Sequence, residues 1–414
     1  MKILRFILIS TATWVLWLVV SQYLFCARFA FNSPAPFEGS AIYNPYETTN
    51  QNDWIKCNFH AHAHAWQGIT NGHGNAMQVH QAYDSLGYGV HCVSNYHEID
   101  TTFSGKESYI PAYEHGYNLR KTHQLVLGGK EVKWLDYLLP QTIHNKQHVL
   151  NSLKEDPDAL VILNHPGMRN GYTEEDLAGL TNFECMEVLN PAATSERQWD
   201  AALSSGKKVF IAANDDLHNV VDKERFGVIC TIVNAESNGR RLVLDALKNG
   251  KSYGVKLGKT QHPDSIPTLK YLTVNQGIIE MKLNAVAREI AFTGQNGKIL
   301  ATFENTDSTR YLLKTDDHYA RATVTYQNGT TLFLNPVFFT KPGGYRDVPV
   351  YIDVQETLFF RSVGITVLAI WFIVLFRLMA GNQGWGGNAN MPVLFPWKRM
   401  LRKRSDIQTS KGRA

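Results

Sequence analysis

The chain has 414 residues, 44% of them apolar, with 41 Lys and Arg against 37 Asp and Glu. That is enough for one large domain with an accessory, and it excludes a disordered chain. The net charge of +4 sits at the ends: residues 381–414 carry seven bases and one acid, whereas 28–356 carry 30 bases and 36 acids, so no nucleic-acid partner is expected. Five widely spaced cysteines without a CxxC pair exclude a zinc knuckle or a disulfide framework and read as buried small hydrophobes.

Phe6 to Ala27 is an uncharged apolar run led by Lys2 and Arg5, long enough for a bilayer core, and no small-x-small cleavage site follows it. Residues 1–27 are therefore predicted as an uncleaved transmembrane anchor. Residues 28–55, rich in Pro, Asn and Ser and without periodicity, read as a linker. From Lys56 to about 265, strand-length apolar runs such as VHCVS, QLVLGG, ALVILN, CMEVLN and KVFIAAN alternate with helix-like stretches. That alternation predicts an α/β domain, a mainly parallel sheet with its chemistry at the carboxyl ends of the strands. Residues 266–340, with Asn296-Gly297 and Asn328-Gly329 flanked by β-rich sequence, read as a small antiparallel module. A second linker (341–356), a second span (357–380) and a basic tail (381–414) follow. The positive-inside rule puts both termini in the cytoplasm and the large domain on the periplasmic or extracellular side.

Polar residues interrupt the apolar strands in a pattern suited to metal binding. His60, His62 and His64 alternate and share one face if this segment is a strand. Glu131 follows LVLGGK, His165 follows VILN, and Asp216 with His218 follows FIAAND. Several strand ends each supplying a ligand-type residue are hard to explain as packing, because buried carboxylates and imidazoles need partners. Asn190, Asn214 and Asp215 fit either ordinary turns or orientation of ligands, and His73 either an exposed loop or a further contact. His80, His115, His144 and His148 read as surface residues.

These residues resemble the motifs of the polymerase-and-histidinol-phosphatase (PHP) superfamily of metal-dependent hydrolases. His60-Ala61-His62 matches its His-x-His, Gly128-Gly129-Lys130-Glu131 its glycine-to-glutamate motif, His165-Pro166-Gly167 its His-Pro-Gly, and Asp216-Leu217-His218 its Asp-x-His. The resemblance implies a distorted β/α barrel, followed by a β-sandwich-like domain and flanked by two transmembrane helices. It also implies two or three divalent ions (zinc, manganese or iron) held by His60, His62, Glu131, His165, Asp216 and His218. Glu131 would bridge two of them, and Glu131, Asp216 and His165 would stand nearest the chemistry. The family's Thr-Asp-His-Asn falls on Ser94-Asn95-Tyr96-His97. Either His97 replaces the ligand by a local shift, or Tyr96 weakens one metal site. His64, Glu187, Tyr96 and Asn95 are candidates for supporting ligands or contacting substrate.

Two cations sharing a carboxylate activate a bridging water and offset charge on substrate oxygens, which suits a phosphoester. No GxGxxG, P-loop or GxSxG motif competes. The β-rich segment ending in Leu334-Asn335-Pro336-Val337 resembles the carbaryl-hydrolase-like (CehA/McbA-like) branch, which implies carboxyl-ester, carbamate or amide hydrolysis as the alternative. A membrane-tethered metal-binding module without turnover is the third reading. The expected substrate is a small-molecule or lipid-linked ester near the bilayer.

Overall fold

The apolar runs after Lys56 do form strands, and they assemble into two sheets in a computed structural model that describes residues 2–380 except 71, 223 and 263–264. The basic tail expected at 381–414 lies outside the described residues. In the smaller sheet Phe210–Ala213, Cys185–Asn190 and Leu160–Leu163 run parallel. The next two strands, Gln124–Leu127 and Ala112–His115, each reverse direction. Gln124 consequently pairs with both Leu163 and His115. The end of Ala112–His115 and the start of Gln124–Leu127 thus share an edge with the carboxyl ends of the parallel strands.

Among the described residues the larger sheet has 11 strands, with Trp54–Asn58 between Val90–His91 and Ile229–Asn234. It continues through Ser252–Lys256 into Thr331–Leu334, with Tyr253 opposite Leu334. The module expected at 266–340 is thus hydrogen-bonded to the α/β part in one sheet. A common core, with Val255 and Ile232 packed beside Leu332 and Ile279, crosses the expected boundary. Cys57, Phe59 and Val90 of the larger sheet pack on Leu125, Ile162 and Phe210 of the smaller one. At Gly254 the sheets nearly touch: a Cβ there would lie 2.8 Å from Ile211 Cδ1 and 3.0 Å from Ala213 Cβ. Isolated parallel bridges, Ala61 with Leu217 and Tyr96 with Glu114, join the sheets where the chain leaves the strands. The helices Ala76–Ser85, Ile143–Leu153 and Glu174–Gly179 start at capping boxes on Asn75, Thr142 and Thr173. Each box pairs two otherwise orphaned N–H groups and sets where the helix begins. All five cysteines are buried.

The segments expected as linkers are built into the fold. Phe29–Ala30 pairs with Tyr351–Ile352, and Ala41–Tyr43 with Val337–Thr340. Phe37 is buried and stacks on Phe338 at 4.3 Å, and the buried Tyr46 hydroxyl donates to Ser252 O at 2.8 Å. Pro and Asn express irregular backbone here, while the aromatic side chains between them supply the burial.

Ile3–Leu24 and Val354–Met379 are helices long and apolar enough to cross a membrane. The first ends inside the domain. Gln22 is buried, donates to Leu139 O at 2.9 Å and accepts from Leu139 N at 2.8 Å, while its own carbonyl accepts from Asn145 Nδ2 at 2.8 Å. Beyond Arg361 lies a second compact unit, which contains the remainder of the Val354–Ala380 helix.

Asn335, fully buried, ties the sheets together: its Oδ1 accepts from Ile211 N at 2.8 Å, and its Nδ2 donates to Gly250 O at 3.0 Å and Ser252 O at 2.9 Å. Asn335→Ala takes this partner from Ile211 N and Gly250 O, at about 1–3 kcal/mol for each stranded group, while Ser252 O keeps the Tyr46 hydroxyl. The expected result is a lower urea midpoint with an unchanged slope.

Candidate metal centre

The strand Trp54–Asn58 stops two residues short of His60, and the chain then crosses the mouth between the sheets. His60 and His62 turn inward and are buried, whereas His64 is exposed. The expected common face of three imidazoles therefore holds for two, because the period of two ends with the strand. Glu114 arrives from Ala112–His115, His123 from the residue before Gln124–Leu127, His165 from the turn after Leu160–Leu163, and Asp216 from the turn after Phe210–Ala213. His165 and Asp216 have φ of 29° and 45°, in a region non-glycine residues rarely occupy. Strain of this kind persists only where the surroundings impose it.

Two imidazole nitrogens, His60 Nε2 and His62 Nε2, each face two carboxylate oxygens, Glu114 Oε2 and Asp216 Oδ1. The two nitrogens are 3.2 Å apart. His60 Nε2 lies 3.4 Å from the Glu114 oxygen and 3.2 Å from the Asp216 oxygen, and His62 Nε2 lies 3.1 and 3.3 Å from the same pair. Separations of 3.1–3.4 Å between neighbouring donors are those of ligands that share an ion at about 2.0–2.1 Å, the distance at which imidazole and carboxylate bind zinc. Glu114 Oε2 and Asp216 Oδ1 are buried without a hydrogen-bond partner. Leaving two carboxylate oxygens in that state is costly unless a cation faces them. The donor set therefore fits a divalent metal.

Glu114 turns its other oxygen to a second set. Oε1 is 2.7 Å from His123 Nδ1 and 3.3 Å from His165 Nε2, and accepts from Asn164 Nδ2 at 3.1 Å. A third group, His62, Asp216 and His218, overlaps the first. His218 is half-buried on the open side, with its ring 4.4 Å from that of His62. Burial opposes ionisation of Glu114, yet His123 and His60 hold its carboxyl well below the usual range. Asp216 is likewise held low, His60 and His62 outweighing its burial.

Glu187 orients this assembly. Its carboxylate accepts from His60 Nδ1 at 3.0 Å, His165 N at 3.0 Å, Asn190 Nδ2 at 2.9 Å and Asn214 Nδ2 at 3.0 Å. Tied through Nδ1, His60 presents Nε2 to the donor set. Asn190 also reaches Asp216 Oδ2 at 3.3 Å, and Asn214 accepts from Phe59 N at 2.8 Å, so both position ligand-bearing segments. Asp215 points away, bonded by Tyr83 and Gly227 N, and burial pushes its carboxyl up to about 7.

The structure separates the two readings of the Ser94–His97 segment. Tyr96 enters the site: its ring stacks on His62 at 4.8 Å, and burial with the facing Glu114 carboxylate keeps its phenol protonated. His97 turns out, its Nε2 accepting from Gly116 N at 3.0 Å and its ring stacked on Trp134. Burial, aided by His115, lowers its imidazole to about 4, so it stays neutral there and is not part of any donor set. Asn95 accepts from Ala63 N at 2.9 Å and shapes the loop carrying the histidines.

Glu131, expected as the bridging carboxylate, is exposed and pairs with Lys133 at 3.0 Å. The strand before it runs antiparallel to its neighbours, so its carboxyl end leaves at the edge opposite the site. For the same reason its amino end delivers His123, and the preceding strand delivers Glu114. Neither was expected: Ala112–His115 shows too short an apolar run to read as a strand, and in a mainly parallel sheet ligands are expected at carboxyl ends, whereas His123 precedes its strand. The segment Tyr113-Glu114-His115-Gly116 held the signal in its buried acid. His80 and His115 are also buried rather than on the surface, and His144 and His148 are half-buried, whereas His73 is an exposed loop residue as one reading had it.

Among solved structures, the chain is similar to a two-domain protein from Bacteroides vulgatus that contains a predicted PHP-like metal-dependent phosphoesterase. Identity is 13% and the TM-score 0.41, over 76% of this chain and 99% of that one. No family model matches the chain, and no curated protein does. The buried His, Glu and Asp cluster itself fits a divalent-metal site.

Chelator-competition titration of the full-length protein checks these assignments. Glu114→Gln is expected to weaken zinc or manganese binding by more than 100-fold, and Glu187→Gln by about 10–100-fold. Glu131→Gln should leave affinity unchanged.

Proposed function

We propose that this protein is a membrane-anchored, metal-dependent phosphoesterase of the PHP type. The observation that carries the reading is the division of one buried carboxylate, Glu114, between two donor sets. Divalent zinc, manganese or iron held there would supply Lewis-acid chemistry for activating water and offsetting charge on phosphoryl oxygens. His60, His62 and Asp216 would hold one ion and His123 with His165 a second, while His218 leaves room for a third. Asp216 and His165 are read as standing nearest the chemistry, with Glu114 in the role given to Glu131.

The remaining residues act directly. Glu187 fixes the tautomer of His60. The phenol of Tyr96 stays protonated and offers a hydrogen-bond donor on the side of Glu114. Lys121, whose ammonium is 5.6 Å from the Tyr96 ring centre, adds positive charge beside the mouth. The fold reading goes with this site: a distorted β/α barrel closed at its mouth by the bridges at Ala61 and Tyr96, with a β-sandwich-like extension. The two apolar helices are read as spans, with both termini cytoplasmic and the site on the exoplasmic face, on the strength of the basic residues in 381–414.

Assay of the full-length protein in detergent, loaded with zinc or manganese, tests the reading. Bis(p-nitrophenyl) phosphate and p-nitrophenyl phosphate are the expected substrates, with turnover falling at least 100-fold in Asp216→Ala. Turnover confined to p-nitrophenyl acetate or a carbamate would transfer the site to carbon esters. Bound metal with no turnover of either class would make it a binding module.

A further inference from the structure

Exposed apolar side chains cluster beside the metal centre. Trp66 donates from Nε1 to Tyr96 O at 2.7 Å, and its ring lies 6.1 Å from that of Trp134, which in turn stacks on His97 at 4.8 Å. Trp134 is 58% exposed and Leu119 57%, and Tyr117 is nearly as open. Tyr117 and Leu119 follow Glu114 by only three and five residues. Open aromatic and aliphatic groups around a polar metal site are unfavourable in water unless something apolar covers them.

What covers them follows from how this rim is tied to the first apolar helix. Tyr117 N donates to Asp136 Oδ2 at 2.7 Å, Leu119 N to Leu138 O at 3.1 Å, and Asn118 Nδ2 to Tyr137 O and Leu139 O at 2.6 Å each. The same 136–140 segment holds the end of the helix, through the paired bonds between Leu139 and Gln22 and through Tyr23, whose hydroxyl donates to Pro140 O at 2.8 Å. One bonded path therefore leads from the helix to the rim without a flexible joint. Ile3–Leu24, at 1.5 Å per residue, spans about 33 Å, close to the thickness of a bilayer core. Its end at Gln22 and Tyr23 then emerges in the headgroup layer, and the rim attached to it is held at that level. Arg120 and Lys121 lie in the same segment: Arg120 is within electrostatic reach of Tyr23, and Lys121 stands over the Tyr96 ring. Tryptophan and tyrosine prefer this layer, and such cations there complement anionic headgroups.

We propose that the rim of Trp66, Tyr117, Leu119 and Trp134 lies in the membrane interface, and that the metal site acts on the phosphoester headgroup of a lipid presented there. The substrate clause rests on the phosphoesterase reading, whereas the placement of the rim rests on the helix and its bonds. A lipid headgroup then reaches the site by lateral diffusion, with its acyl chains left in the bilayer and its phosphate met by Lys121 and the cation-binding cluster.

The full-length protein in vesicles of phosphatidylethanolamine and phosphatidylglycerol separates the two clauses. Leu119→Cys and Ile299→Cys, equally exposed at 57%, carry an environment-sensitive fluorophore, the native cysteines being buried. Lipids bearing a quencher near the headgroup should quench the Leu119 label at least threefold more than the Ile299 label. Equal quenching would overturn the placement. For the substrate, Leu119→Ser combined with Trp134→Ser should lose at least tenfold on a vesicle-borne phospholipid, while bis(p-nitrophenyl) phosphate is turned over within twofold of wild type. A loss equal on both substrates, or turnover of the soluble ester without the lipid, would overturn the lipid clause. If neither ester is turned over, the phosphoesterase reading fails and the lipid clause with it, and the quenching result alone decides the rim.

Discussion

Everything in the site depends on the placement of one buried carboxylate. Glu114 is buried, and its two oxygens face different imidazole sets, His60 with His62 on one side and His123 with His165 on the other. A charge in that position is tolerable only if cations or protonated partners surround it. The histidines, the strained turns at His165 and Asp216 and the clamp by Glu187 satisfy that one demand. The nitrogen–oxygen separations of 3.1–3.4 Å between His60, His62 and the two carboxylates are its geometric expression. Changing the size or charge of any member would leave the other carboxylates unsatisfied.

The sheet explains how residues from so many segments converge. Two reversals of strand direction bring a strand end, a strand start and three parallel strand ends to one edge. The larger sheet adds His60 and His62 from a segment that has just left its own strand. Polar groups can gather there because the edge is where strand pairing stops and the turns begin, so the backbone bends toward a common centre. The continuous pairing from Ser252–Lys256 into Thr331–Leu334 and the hydrogen bonds of Asn335 tie this edge to the β-rich part. The extension is therefore part of the scaffold that holds the site.

The first apolar helix is joined to the same scaffold. A helix ending in an unstructured linker would leave the site free to tumble away from a membrane. Here Gln22 is buried within the domain and bonded to the loop beside the mouth, so the apolar helix and the site share one frame. Segments rich in Pro and Asn look like linkers because they lack periodicity, but Phe37 and Tyr46 pack into the core regardless. Pattern reports regular structure, whereas burial depends on partners far away in the chain.

By itself the sequence determined the composition of this protein's chemistry. His60, His62, His165, Asp216 and Glu187 stand at interruptions in apolar runs, and such interruptions are visible locally because a strand ending at a site must exchange apolar for polar residues. The two long apolar segments are legible for a similar reason, since length and lack of charge are properties of the chain. Only the tertiary structure decided which acid completes the site and which side chains turn outward. Glu114 and Glu131 are both acids beside apolar strands, and strand direction alone separates them. Direction is set by pairing with distant strands, so no local pattern records it. His64 and His97 were lost for a related reason: the backbone had left its regular period, and without a period the sequence does not say where a side chain points.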